Sequence, residues 1–101
     1  MVWDLGKAMR KKEEFESARL MDFAFRERAR ATRFLARFYD LDEGLLVREI
    51  AVRNEDGVLD LVARQTGREE REIAAAYQRC LGAARRELIA ERGDPTPYRL
   101  G

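Results

Sequence analysis

The stretch DLGKAMRKKEEFESARLMDFAFRERARATRFLARFY, residues 4–39, decides the fold. It holds no proline and a single glycine, Gly6, so nothing beyond its first turn breaks a helix. Asp4 is an acceptable N-cap, with a restart after Gly6 as the alternative. At about 100° per residue, Leu20, Phe23, Ala24, Ala31, Phe34, Leu35 and Phe38 share one arc. Arg19, Arg26, Arg30, Arg33 and Arg37 share another. The spacing predicts one long helix with an apolar face along its second half. Lys7 to Glu14 contains only Ala8 and Met9 as apolar residues, so this part has little to bury. Residues 1–15 are therefore expected to be a mobile or projecting segment that binds a partner.

Shorter helices are predicted downstream. Asp42 caps a second one, Glu43 to Arg53, with Leu45, Leu46, Ile50 and Ala51 inward. Asn54, Glu55, Asp56 and Gly57 read as a polar turn. A third helix follows from Val58 to Gln65, with Val58, Leu61 and Val62 inward. Thr66 and Glu69 stand three apart, the spacing of a capping box that opens a fourth helix. Along it Ile73, Tyr77, Cys80, Leu81, Ala84 and Leu88 recur at helical intervals. Gly93 ends that helix, and Pro95 and Pro97 prevent its resumption. The expected fold is all-α: a single domain of four helices over residues 16–93, the long N-terminal helix packed on a smaller helical bundle. An irregular tail occupies 94–101.

Composition narrows the function. Charged residues make up 39% of the 101, but 20 basic and 19 acidic side chains leave a net charge of +1. Nucleic-acid and membrane-surface proteins are usually more lopsided. No histidine is present, which removes the commonest general base near neutral pH. No glycine-rich phosphate loop, metal-ligand spacing or cofactor motif appears, and a non-enzymatic protein is expected. Cys80, the single cysteine, lies on the apolar stripe of the fourth helix and reads as a small buried hydrophobe. A lone cysteine, no apolar run of spanning length and no visible signal peptide together place the chain in the cytoplasm.

Two surface patterns remain. Ala63 and Gly67 are spaced as in a helix-turn-helix, with Val62, Ile73 and Ala76 at matching apolar positions, so a DNA-binding module is one alternative. Arg68 stands against it where an apolar residue is usual, as do Glu69, Glu70 and Glu72, which would face phosphates with the wrong sign. The arginine stripe is accounted for by a solvated helix face; the alternative is a docking face for an acidic partner, with Arg19, Arg26 and Arg30 as contacts. Trp3 precedes any core-forming pattern and either folds back on the bundle or anchors a partner. A generic helical interaction adaptor is the third reading.

The stretch FRERARATRFLARF, residues 25–38, resembles the F-x-x-x-A-R-x-x-x-L motif in the first helix of the zeta subunit family of alphaproteobacterial ATP synthase, an inhibitor of ATP hydrolysis. Phe25, Ala29, Arg30 and Leu35 match, with Phe38 at the family's aromatic position. REIAVRNEDGVLDLVARQTG is similar to the family's second and third helices and the acidic turn between them. TGREEREIAAAY resembles its S/T-E-E-x-I helix start through Thr66, Glu69, Glu70 and Ile73, and Trp3 and Asp4 resemble its aromatic-Asp opening. The resemblance implies an all-helical domain whose N-terminal segment enters the catalytic sector of the rotary enzyme and blocks its hydrolytic direction. The partners it implies are the catalytic-sector subunits, and the location is the cytoplasm, at the inner face of the membrane through the partner. Trp3, Asp4, Lys7, Met9, Arg10, Lys11 and Phe15 would then contact the partner, with Arg19, Arg26 and Arg30 behind them. The chain departs from the family at Leu5 and Gly6, in the basic run Arg10, Lys11 and Lys12, and in its proline-containing tail.

Overall fold

The computed structural model describes residues 5–95, with side chains described from residue 16 onward. Four helices follow one another: α1 (Leu5–Phe38), α2 (Glu43–Val52), α3 (Glu55–Thr66) and α4 (Glu70–Arg92). The all-α, four-helix expectation holds. α1 and α4 run antiparallel, since Asp22 lies beside Arg92 while Phe34 lies beside Ala76 and Cys80. α2 packs on α1, and α3 packs on both α2 and α4.

The core collects the apolar stripe of every helix. Ala31, Leu35 and Ala36 of α1 meet Leu46 and Ile50 of α2, Val58 and Val62 of α3, and Ile73, Ala76, Tyr77 and Ala84 of α4. Burying a Leu, Ile or Val side chain contributes roughly 1.5–3 kcal/mol, so these contacts dominate the fold's stability. One expected member of the α1 arc and one residue outside it depart from the expected pattern. Phe38 is 63% exposed because it lies on the last turn of α1, and its ring meets Tyr39 edge-on at 4.9 Å. Thr32, outside the expected arc, is fully buried; its Oγ1 donates to the Arg28 carbonyl at 2.7 Å, which satisfies the hydroxyl inside its own helix.

α1 stops at a left-handed residue. Asp40 has φ 54°, the Leu41 amide donates to the Ala36 carbonyl at 2.8 Å, and the Asp40 amide donates to Arg37 at 3.3 Å. This is the bonding pattern of a Schellman cap. α2 begins as expected: the Asp42 carboxylate accepts from the Leu45 amide at 3.1 Å. Its inward face is narrower than expected. Leu46 and Ile50 are buried, but Leu45 and Ala51 are exposed, because only the side toward α1 and α3 is covered.

Residues 54–57 are not a turn between helices. Asn54 is the N-cap of α3, its side chain accepting from the Gly57 amide at 2.9 Å, and Glu55 and Asp56 occupy the first helical turn. Carboxylates there are favoured by the helix dipole. Gly57 is helical and buried, and a Cβ at this position would stand 3.1 Å from the Arg53 Cβ. The glycine serves close approach of α2 and α3.

The expected Thr66–Glu69 capping box does not form. Thr66 is the last residue of α3, and its hydroxyl donates back to the Val62 carbonyl at 2.7 Å. Gly67 follows with φ 71° as the C-cap, and α4 starts only at Glu70, with no side-chain cap from Glu69. Gly67 supplies the left-handed conformation that ends α3, and this displaces the threonine from the start of α4. Gly93 ends α4 as expected.

Candidate partner-binding surface

α4 ends at Arg92, whose guanidinium stands 4.0 Å from the Asp22 carboxylate, and Pro95 is buried in a cleft with Arg19 and Phe23. α1 begins at Leu5. With a rise of about 1.5 Å per residue, α1 is about 51 Å long and α4 about 35 Å. Leu5 to Ala18 thus precede the part of α1 that α4 flanks among the described residues.

The sequence-derived partner residues divide accordingly. Trp3 and Asp4 lie outside the described residues. Lys7, Met9, Arg10, Lys11 and Phe15 have helical backbone within α1, and their side chains lie outside the description. Arg19 is exposed and lines the cleft at the end of α4. Arg26 is exposed and bonds Asp22 through Nε at 2.9 Å.

Arg30 is engaged within the fold. Its Nη1 and Nη2 donate to the two carboxylate oxygens of Glu91 at 2.8 and 2.9 Å, and Nη1 reaches Glu87 at 3.4 Å. This fork holds the Glu91 carboxyl below its ordinary range and raises the Arg30 pKa above its own. Arg30, Arg26 and Arg33 of α1 converge with Arg92 of α4 around Phe25, Ala29 and Leu88. Leu88, Arg92 and Arg33 were not among the expected contacts; the first two come from a helix remote in sequence.

An apolar groove on the same helix pair is lined by Phe34, Phe38, Ala76, Cys80 and Ala83, with Arg79 at its edge. Burial pushes the Cys80 thiol above its ordinary pKa, so it is a poor nucleophile near neutral pH. At the α3–α4 junction Arg68 pairs with Glu72 at 2.7 Å and Arg71 with Glu69 at 3.3 Å. The Arg68 guanidinium also lies 5.6 Å from the centre of the Tyr39 ring. The cations at the start of α4 are thereby drawn into contacts within the chain.

Among the described residues no group of three or more acidic, Cys or His side chains is placed to hold a metal ion, and no helix is long and apolar enough to cross a membrane. The fold and surface define an all-α protein of four helices whose longest helix outruns its neighbours. No protein-family model matches the chain, and no curated protein or solved structure matches it significantly.

Proposed function

We propose that the protein is a non-enzymatic regulator that inhibits ATP hydrolysis by a rotary ATP synthase, inserting the N-terminal part of α1 into the catalytic sector. The observation that carries this reading is the length mismatch between α1 and α4. About nine turns of helix begin at Leu5, and the last flanking helix ends beside Asp22. A stretch that carries the basic run Arg10, Lys11 and Lys12 and has no flanking helix among the described residues has a partner's surface to gain. The motif resemblance at Phe25, Ala29, Arg30 and Leu35 supports the choice of partner, and of its implied contacts, Lys7, Met9, Arg10, Lys11 and Phe15 fall on that stretch, while Trp3 and Asp4 precede it in the sequence.

In this account Trp3, Met9 and Phe15 supply apolar area on docking, and Lys7, Arg10 and Lys11 pair with carboxylates of the partner. Holding the inserted backbone costs about 1–2 kcal/mol per residue ordered, so buried area and charge pairing must exceed that. The domain over residues 16–93 acts as the support from which the helix is presented.

Co-purification tests the reading. Full-length protein is expected to be retained by the isolated catalytic sector, and a form lacking residues 1–15 to be retained weakly or not at all while keeping its helical circular dichroism. Equal retention of both forms would remove the N-terminal stretch from the mechanism.

A further inference from the structure

The cleft between α1 and the end of α4 has an unusual lining. Phe25 and Leu88 form its floor, Arg26, Arg30, Arg33 and Arg92 form its rim, and no carboxylate lines it. The cleft encloses about 200 Å³. Four guanidinium groups around one apolar floor are a local excess in a chain whose net charge is +1. The acids that balance three of them stand outside the lining: Asp22 beside Arg26 and Arg92, and Glu91 and Glu87 beside Arg30. These pairs orient the guanidinium planes while using only some of the five N–H donors each one carries. Arg33 is exposed and has no ion-pair partner among the described residues. Phe25 is 44% exposed, and Met21, one turn earlier, is 71% exposed, so apolar surface continues from the cleft along α1.

We propose that this cleft clasps an acidic segment of the partner protein, an apolar side chain seated on the exposed face of Phe25 and carboxylates held by the arginine rim. Arginine forks match carboxylate geometry, and an apolar anchor ringed by polar contacts is the usual arrangement of a docking hot spot. A nucleic-acid backbone would use the rim and leave the exposed Met21 and Phe25 without a role. The proposal rests on the reading of the protein as a docking inhibitor and adds a second contact. The N-terminal stretch blocks rotation and supplies binding of its own; the cleft adds a second contribution to affinity.

The test uses the full chain and the purified catalytic sector of ATP synthase, with binding followed by biolayer interferometry and inhibition followed in parallel. Arg33→Glu and Phe25→Ser alter the cleft at surface positions clear of the buried core, and thermal melts check that both fold. Arg48→Glu, on the exposed side of α2, makes the same charge change elsewhere. The expected result is that each cleft variant weakens binding about ten-fold or more, as loss of close interfacial charge pairs and anchors does. Inhibition at saturating protein should stay at the wild-type level, and Arg48→Glu should bind like wild type. Wild-type affinity in either cleft variant, or an equal loss in Arg48→Glu, overturns the cleft and leaves the inhibitor reading standing. Failure of the wild-type chain to bind the catalytic sector overturns both.

Discussion

Arg30 of α1 and Glu91 of α4 face each other across 61 positions of sequence and close two parallel N–H···O bonds, at 2.8 and 2.9 Å. The pair joins the two longest helices near the end of the bundle, where the shared core thins to Phe23, Ala84 and Leu88.

The pair makes stability pH-dependent at the acid end. The Arg30 hydrogen bond holds the folded-state Glu91 pKa below the ordinary 4.5, so the folded state favours the ionised carboxyl. Its contribution is present in full above the unfolded-state value and is lost as pH falls through the folded-state one. Thermal melts of wild type and Glu91→Gln should differ near pH 7, and the difference should shrink steadily below about pH 4.5. A difference that does not change between pH 7 and pH 3 would mean the carboxyl does not titrate against Arg30.

Core and rim of the same apolar arc should separate sharply. Leu35 is fully buried and Phe38 is 63% exposed. Leu35→Ala is expected to cost about 2–5 kcal/mol. Phe38→Ala is expected to cost under about 1 kcal/mol, as at other exposed positions. Urea denaturation measures both, and similar losses would mean the end of α1 is covered in solution.

Tyr77 carries a buried hydroxyl that meets no partner in hydrogen-bond geometry, although Glu55 and Thr32 lie close enough to influence it. Burial raises its pKa well above the ordinary value, Glu55 adding to the shift. Removing an unsatisfied buried group is neutral or favourable, so Tyr77→Phe should leave stability unchanged or raise it by up to about 1 kcal/mol. A loss of more than that in chemical denaturation would show that the hydroxyl bonds Glu55.

Helix ends offer a paired comparison. Asp40 adopts φ 54°, a conformation that costs a residue with a Cβ more than it costs glycine. Asp40→Gly should therefore stabilise, by up to about 1 kcal/mol. Asn54→Ala removes the α3 cap and should destabilise by about 1 kcal/mol. Opposite shifts of the melting temperature are expected; two shifts of the same sign would contradict the cap assignments.

Helix number, helix order and most core positions were legible because the apolar spacing is regular and local. What escaped were competitions between overlapping signals. Gly57 reads as a turn in isolation, yet Asn54, Glu55 and Asp56 already carry a cap and an acidic first turn, and the glycine answers a contact with Arg53 that only the folded chain reveals. Thr66 and Gly67 belong to both a capping box and a helix stop, and the left-handed glycine decides in favour of the stop. Arg30 belonged to a stripe of arginines that looked uniformly solvated; Glu91, a remote neighbour, distinguishes it from Arg33. The arginine-rimmed cleft was half visible, since Arg26 and Arg30 come from one helix while Leu88 and Arg92 come from another.

The inhibitory role proposed for the N-terminal part of α1 is open to direct enzymatic assay. ATP hydrolysis by the purified catalytic sector of the cognate ATP synthase, titrated with the full chain and with a form lacking residues 1–15, tests it most directly. Saturable inhibition by the full chain and none by the shortened form is the expected result. Undiminished hydrolysis at saturating full-length protein would contradict it.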